Sequence, residues 1–273
     1  MKARRAIRPE PAAPDIFGAA YAGIYDSLYR DKPYAREVAF VCERFQAATG
    51  RTPQRVLDLA CGTGNHFPEL QRRGISGHAN DLSAAMLERA QARVAATPAF
   101  SFSCCPMQEL RLNARERGEG FDLTMAFYTA LGYLTAPVEL DACLRRIPGW
   151  LRPGGLFFGD LWNGHRITRD FEPRRERRIS GPEWEGTRIS EVTAQPDRNA
   201  LHTHFTCQVT ERRTGRTRRF EEDHLVRYFT PTEWETLLLA HGFELIECAP
   251  FFEPDETLAS CWNFYFLARR KDN

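Results

Sequence analysis

The chain has 273 residues, 42% of them hydrophobic, with 37 Lys and Arg against 36 Asp and Glu and a net charge of +1. That apolar content supports a packed core and excludes wholesale disorder. The near-neutral balance removes any global electrostatic case for nucleic acid or an anionic membrane as partner. The length suits one large α/β domain with a modest insertion. No apolar run is long enough to span a bilayer, and Arg4, Arg5 and Arg8 lack the apolar stretch of a secretory leader behind them. Eight cysteines are scattered without a C-x-x-C pair, as in a reduced, cytoplasmic protein with no disulfide and no zinc.

In chain order, Met1 to Pro14 reads as a basic, Pro- and Ala-rich extension, mobile unless a partner holds it. Residues 17–49 carry Val38, Val41, Cys42 and Phe45 at helical spacing. Pro33 divides them into a short helix, a turn near Asp31–Lys32 and a longer helix. From Arg55 onward short apolar strands alternate with amphipathic helices: strands near 55–59, 75–80, 100–104, 121–127 and 155–161, helices near 65–73, 83–95 and 136–151. This pattern predicts a doubly wound, mostly parallel sheet with helices on both faces.

The alternation stops at Trp162. Period-two runs follow at Thr187–Ala194, Leu201–Thr210 and Thr217–Tyr228, separated by turn signals at Pro196–Asn199 and Arg213–Gly215. They predict an antiparallel β meander inserted at 163–229, as a cap on a main domain built from 15–162 and 230–273. A helix then starts at Pro231, capped by Thr230 or Thr232, and ends at His241–Gly242. Strands at 243–248 and 262–268 complete seven strands. The Arg-rich runs Arg174–Arg178 and Arg212–Arg219 read as solvated faces.

The most informative stretch is Val56-Leu57-Asp58-Leu59-Ala60-Cys61-Gly62-Thr63-Gly64. An apolar strand ends in a glycine turn, and Asp81 follows at the end of the next strand. Glycines let backbone approach a ligand, and a carboxylate there can accept from two ribose hydroxyls. The pattern points to an adenosine-containing ligand. A dinucleotide fingerprint needs a third glycine where Phe67 stands, which counts against an NAD-type oxidoreductase, and a P-loop needs a Gly-Lys-Ser/Thr ending that is absent.

Asp58-x-Ala60-x-Gly62-x-Gly64 resembles the S-adenosylmethionine loop of class I methyltransferases, with Ala60 where glycine is common. Asn80-Asp81-Leu82-Ser83 with Met86-Leu87, Phe121 to Phe127, and Leu151 to Phe158 resemble the family's later segments in the right order. Tyr25-Asp26-Ser27-Leu28-Tyr29 and Asp31-Lys32-Pro33-Tyr34 resemble small-molecule N-methyltransferases, among them amino-sugar N,N-dimethyltransferases. Phe127 to Leu134 and His224 to Phe229 are similar to segments of the same proteins.

The resemblance implies a Rossmann-like seven-stranded fold and S-adenosyl-L-methionine as cofactor. It implies cofactor contacts from Tyr25, Tyr34, Asp58, Ala60, Cys61, Gly62, Thr63, Gly64, Asp81, Leu82, Met86, Met107, Gln108 and Phe127. Pro106 stands where relatives carry an adenine-binding Asp, leaving adenine to backbone groups, Gln108 and Met107. Tyr29, Asp160 and His224 are the candidates for acting on the acceptor. Tyr128, Trp162, Asn163, Arg227 and Tyr228 are candidates for lining its site. Asp160 reads equally as a structural cap. Phe127-Tyr128-Thr129-Ala130 lacks the Asn/Asp-Pro-Pro-Tyr box of base methylation. His165, His202, His204 and His224 supply no third metal ligand, so no metal is expected.

The expected reaction is methyl transfer to a small-molecule acceptor, an amine nitrogen first, with oxygen or carbon as alternatives. A non-catalytic cofactor-binding protein is the reading outside the class. No nucleic-acid or membrane partner is expected, and the exposed meander could serve a homodimer.

Overall fold

The computed structural model describes residues 16–94 and 99–271, so the expected extension at 1–14 lies outside them. Helix α1 spans Ala19–Leu28 and α2 spans Tyr34–Thr49, with Pro33 at the boundary as its fixed φ and missing N–H require. α2 buries Val38, Val41, Cys42 and Phe45. It ends at Gly50, whose φ of 75° is the left-handed cap conformation.

The alternating part follows: β1 (Arg55–Leu59), α3 (Phe67–Arg72), β2 (Ser76–Asp81), α4 (Ala84–Val94), β3 (Phe100–Cys104), α5 (Ala114–Glu119), β4 (Phe121–Ala126), α6 (Pro137–Trp150) and β5 (Leu151–Trp162). Next come α7 (Gly164–Asp170), β6 (Arg174–Ser180), β7 (Trp184–Gln195), β8 (Ala200–Glu211) and β9 (Thr217–Arg227). Helix α8 (Pro231–Ala240) and strands β10 (Phe243–Pro250) and β11 (Asn263–Arg270) close the fold.

The first sheet has seven strands in the order β10-β11-β5-β4-β1-β2-β3. β1 to β5 pair in parallel, and β11 is antiparallel to both β5 and β10. Every residue of β4 is buried, as a parallel strand covered by helices on both faces requires. The strand order reverses about β1, so the crevice at the carboxyl ends of β1 and β4 is where such sheets bind ligands.

At the opposite end, Asp122 ties the sheet together. Its carboxylate accepts from the N–H groups of Gln54 (2.8 Å) and Arg55 (2.9 Å), and from Arg51 (2.7 Å) and Arg152 (2.9 Å).

The second sheet is antiparallel, in the order β6-β7-β8-β9. It has a strand more than the period-two runs indicated, because β6 is the Arg174–Arg178 run that read as a solvated face. Ladder hydrogen bonds come from the backbone and tolerate arginines on an exposed edge. β6 buries only Ile179, so it carries little apolar pattern to read. Helix α5 also escaped the reading. It has six residues, held by a capping box between Asn113 and Glu116. Thr230 caps α8 by accepting from the Glu233 N–H at 3.2 Å. The two sheets meet across α1: Tyr21, Ala22 and Ile24 pack with Met86 of α4 and with Ile179, Cys207 and Val209 of the antiparallel sheet.

Candidate active site

The turn after β1 places Ala60, Gly62 and Gly64 at φ of 56°, 57° and 71°. Glycine holds such angles freely, whereas Ala60 is strained by about 1 kcal/mol. Asp81 ends β2, and its two oxygens accept from the N–H of Gly62 (2.8 Å) and of Ser83 (2.9 Å). Burial outweighs these bonds and pushes the carboxyl above its ordinary range. Asp58 lies beneath the turn, 1% exposed, and one of its oxygens has no partner. Burial and the Asp81 charge push it well up. A buried, unpartnered acceptor is a costly feature that a ligand donor relieves.

A strap formed by α1 and the residues before it crosses this turn. Asp26 accepts from the Thr63 hydroxyl (2.5 Å), the Asn65 amide (3.0 Å) and Arg93 (2.9 Å). The Ser83 hydroxyl donates to the Phe17 carbonyl at 2.7 Å. Glu222 of β9 accepts from the N–H of Phe17 (2.7 Å) and of Gly18 (3.1 Å).

Lys32, between α1 and α2, reaches inward. Its ammonium lies 2.8 Å from the Tyr128 ring centroid and 3.0 Å from Glu37, whose other oxygen meets His66 at 2.8 Å. Burial lowers the Lys32 value against the pull of Glu37 and Asp160. Burial also lowers His66, whose ring stacks on Phe127 with centroids 4.3 Å apart. Tyr34 meets His66 edge-on at 5.2 Å.

At the end of β4, Tyr128 and Thr129 both take positive φ, 65° and 54°. Asp160 of β5 holds this strained pair by accepting from the Tyr128 N–H (2.6 Å) and the Thr129 N–H (3.3 Å), while the Asn263 amide donates to it at 3.0 Å. Burial lifts Asp160 to about 6 despite the Lys32 charge. Tyr29 packs on Tyr25 (4.7 Å) and edge-on against Tyr128 (5.5 Å). Nearby, the Tyr133 hydroxyl and His224 Nδ1 are 3.0 Å apart. His224 sits among Phe17, Tyr21 and Phe205, and burial holds it down to about 4, so the ring is neutral near pH 7. Its Nε2 is 3.7 Å from Glu222, an electrostatic neighbour too distant for a hydrogen bond.

The structure thus brings Tyr29, Tyr25 and Tyr128 together, with Asp160 beneath Tyr128. His224 joins Tyr133 on the adjoining wall. Of the residues expected around adenine, Leu82 is exposed, Gln108 half-buried and Met107 buried in the core. Met86 faces α1. Trp162 and Tyr228 pack with Ile167 and Leu201 in a separate apolar cluster. Asn163 caps α7 and donates to the Leu258 carbonyl, and Arg227 pairs with Glu233 at 2.6 Å. These four join the two sheets. Sequence reading missed Asp26, Lys32, Glu37, His66 and Tyr133. Asp26, Lys32 and Tyr133 lie in segments that resemble the family, but no role was assigned to them from the sequence.

A glycine turn after the central strand, an acid at the end of the next and a crevice at the switch point define the class I methyltransferase architecture. Residues 56–155 match the family model described as a methyltransferase domain. A dTDP-3-amino-3,4,6-trideoxy-alpha-D-glucopyranose N,N-dimethyltransferase of Streptomyces venezuelae is 27% identical, over 86% of this chain and 95% of the relative. Among solved structures, an amino pentose methyltransferase from Micromonospora echinaspora superposes with TM-score 0.72 at 23% identity, over 91% of this chain and 97% of that one. An S-adenosylmethionine-dependent methyltransferase from Clostridium acetobutylicum gives TM-score 0.76 at 20% identity, over 93% and 98%. The methyltransferase domain and the methyltransferase relatives indicate an S-adenosylmethionine-dependent enzyme. Among the described residues no helix is long and apolar enough to cross a membrane, and no cluster of metal-ligating side chains occurs.

Proposed function

We propose that the acceptor atom is an amine nitrogen, on a small molecule of the amino-sugar kind. The observation that carries this reading is the lack of a strong base at the acceptor mouth: Asp160 is committed to two backbone N–H groups, and His224 is held neutral. The cofactor, when bound, supplies a methyl on a sulfonium, with its leaving group attached. The protein's work is then alignment and exclusion of water. An amine needs only to shed a proton to water, whereas a hydroxyl would need a positioned base.

In this reading Asp81 and the Gly62–Gly64 turn hold the ribose side, and Asp58 takes the amino group of the methionine moiety. Leu82, Met107 and Gln108 surround the adenine. Tyr29 and Tyr133 accept N–H groups of the acceptor, while Asp160 fixes Tyr128. The relatives' printed names, amino-sugar N,N-dimethyltransferases, support the nitrogen choice. Residues 163–229 act as a cap over the main domain. The free thiols fit a cytoplasmic setting. The absence of the base-methylation box argues against nucleic acid, and a homodimer through the outer meander is open to sedimentation.

The test uses methyl-labelled S-adenosylmethionine with amines, amino sugars, phenols and enolisable carbon acids, the products being read by NMR. A methyl on nitrogen supports the proposal; a methyl confined to oxygen or carbon overturns it.

A further inference from the structure

Asp81 ends β2, and the chain beside it is the end of β3 followed by a short 3-10 turn at Met107–Glu109. Asp81 stands opposite Cys104, and the Cys105 N–H donates to the Asp81 carbonyl at 3.0 Å. For a nucleoside whose ribose meets the Asp81 carboxylate, Leu82 and residues 104–108 are the nearest wall for the base. The inference below rests on that proposed ribose assignment.

This wall has few acceptors left. The Cys105 carbonyl takes the Asn80 amide at 3.0 Å, and the Leu82 carbonyl takes the Cys104 thiol at 3.6 Å. The Pro106 carbonyl takes the Glu109 N–H at 2.9 Å, and the Met107 carbonyl takes the Leu110 N–H at 3.4 Å. Pro106 has no polar side chain, and Met107 is buried in the core. Asn80 keeps one oxygen without a partner. That residue stands opposite core residue Leu59, however, and is 1% exposed. Glu109 is exposed just beyond the wall. Gln108 remains. It is half-buried, and among the described residues nothing hydrogen-bonds its side chain.

A carboxamide so placed can read a base without being committed to one form of it. One end accepts and the other donates, and with no neighbour to fix it the group turns end for end. A 6-aminopurine offers a donor at this edge, and a 6-oxopurine an acceptor. A fixed carbonyl or carboxylate would meet the 6-oxo form acceptor to acceptor and reject it. A free carboxamide meets either form.

We propose that Gln108 reads the 6-position of the cofactor's purine and that the site takes 6-oxopurine as well as 6-aminopurine nucleosides, because nothing fixes the carboxamide. S-inosylhomocysteine, the deaminated form of the spent cofactor, then competes with S-adenosylmethionine much as S-adenosylhomocysteine does. Deamination of the spent cofactor does not free the enzyme from it.

The test compares S-adenosylhomocysteine with S-inosylhomocysteine by calorimetric titration of the full chain. The wild type binds the two within about tenfold of each other. Gln108→Glu, which can only accept, raises the preference for the adenosyl form by a further factor of about ten or more. Gln108→Ala weakens both ligands by about threefold or more and keeps their ratio within tenfold. It carries the test if Gln108→Glu fails to fold. Glu109→Gln changes neither affinity. A wild-type preference beyond tenfold assigns the 6-position to a fixed acceptor such as Asn80 and overturns the proposal. So does a ratio unmoved by Gln108→Glu, unchanged affinities in Gln108→Ala, or a ratio shifted by Glu109→Gln. Binding of neither ligand would instead sink the methyltransferase reading, and undiminished affinity in Asp81→Ala would remove the ribose assignment beneath the inference.

Discussion

The two ends of the seven-stranded sheet use the same side chain for opposite purposes. At the amino end of β4, Asp122 is enclosed by two guanidinium groups and two N–H donors. Burial alone would raise it, but these donors more than offset burial and hold its carboxyl below the ordinary range. At the carboxyl ends of β1, β2 and β5, Asp58, Asp81 and Asp160 are buried with fewer partners, and burial lifts all three. One end is closed electrostatically and carries load. The other is left short of donors, so a ligand with hydroxyl, amino or ammonium groups can complete it.

Removing Asp122 breaks the comparison most severely. Asp122→Ala strands two N–H groups and leaves Arg51 and Arg152 without their carboxylate. The expected loss is about 3 kcal/mol, short of a fully buried pair because both arginines are partly exposed. Denaturant unfolding measures it, while cofactor affinity of the folded fraction stays near wild type. Asp81→Ala has the opposite profile. It should weaken S-adenosylhomocysteine binding by about 1–3 kcal/mol through lost hydrogen bonds, and unchanged affinity in calorimetry would remove Asp81 from the ribose.

pH also separates the two ends. The folded value of Asp122 is depressed, so its contribution is present above the unfolded value near 3.8 and is lost as pH falls. The folded value of Asp160 is raised from 3.8 to about 6, so its contribution is greatest below the unfolded value and is lost as pH rises toward 6. Stability curves from pH 4 to 7 should therefore flatten in Asp160→Asn; an undiminished slope assigns it to other groups. Asp26→Ala is a smaller effect, about 1 kcal/mol of cofactor affinity through a loosened strap, visible as faster cofactor release. The smallest is Tyr29→Phe, which should lower turnover more than cofactor affinity. Equal turnover would reduce Tyr29 to packing.

What could be read from the sequence divides along similar lines. Gly62, Gly64 and Asp81 were legible because a tight turn between strand and helix demands particular residues at fixed spacing. The parallel strands were legible from short apolar stretches such as Val56–Leu57 and Leu156–Phe158 set between helical patterns, although β2 is largely polar. Asp26 and Glu37 were not. Their partners, Thr63 and His66, lie 37 and 29 residues away, and a single polar residue on an amphipathic helix has no pattern. Asp160 ends an apolar strand, where cap and acceptor contact look alike in sequence, and its bonds to Tyr128 and Thr129 join residues 32 and 31 positions apart that no local pattern announces. Trp162, Asn163, Arg227 and Tyr228 flank the insertion on both sides, and their proximity to its boundaries reflects how the two sheets are joined.

The placement of β11 between β5 and β10 has a consequence in time. Domains emerging from the ribosome tend to fold from the amino terminus onward, but here the long strand β5 waits more than a hundred residues for its second neighbour. Until 263–270 has been made, the apolar flank of β5 has no antiparallel partner and the glycine turn sits on an unfinished platform. A nascent chain of this protein therefore passes through a period in which its cofactor residues all exist and its aggregation-prone edge is still open.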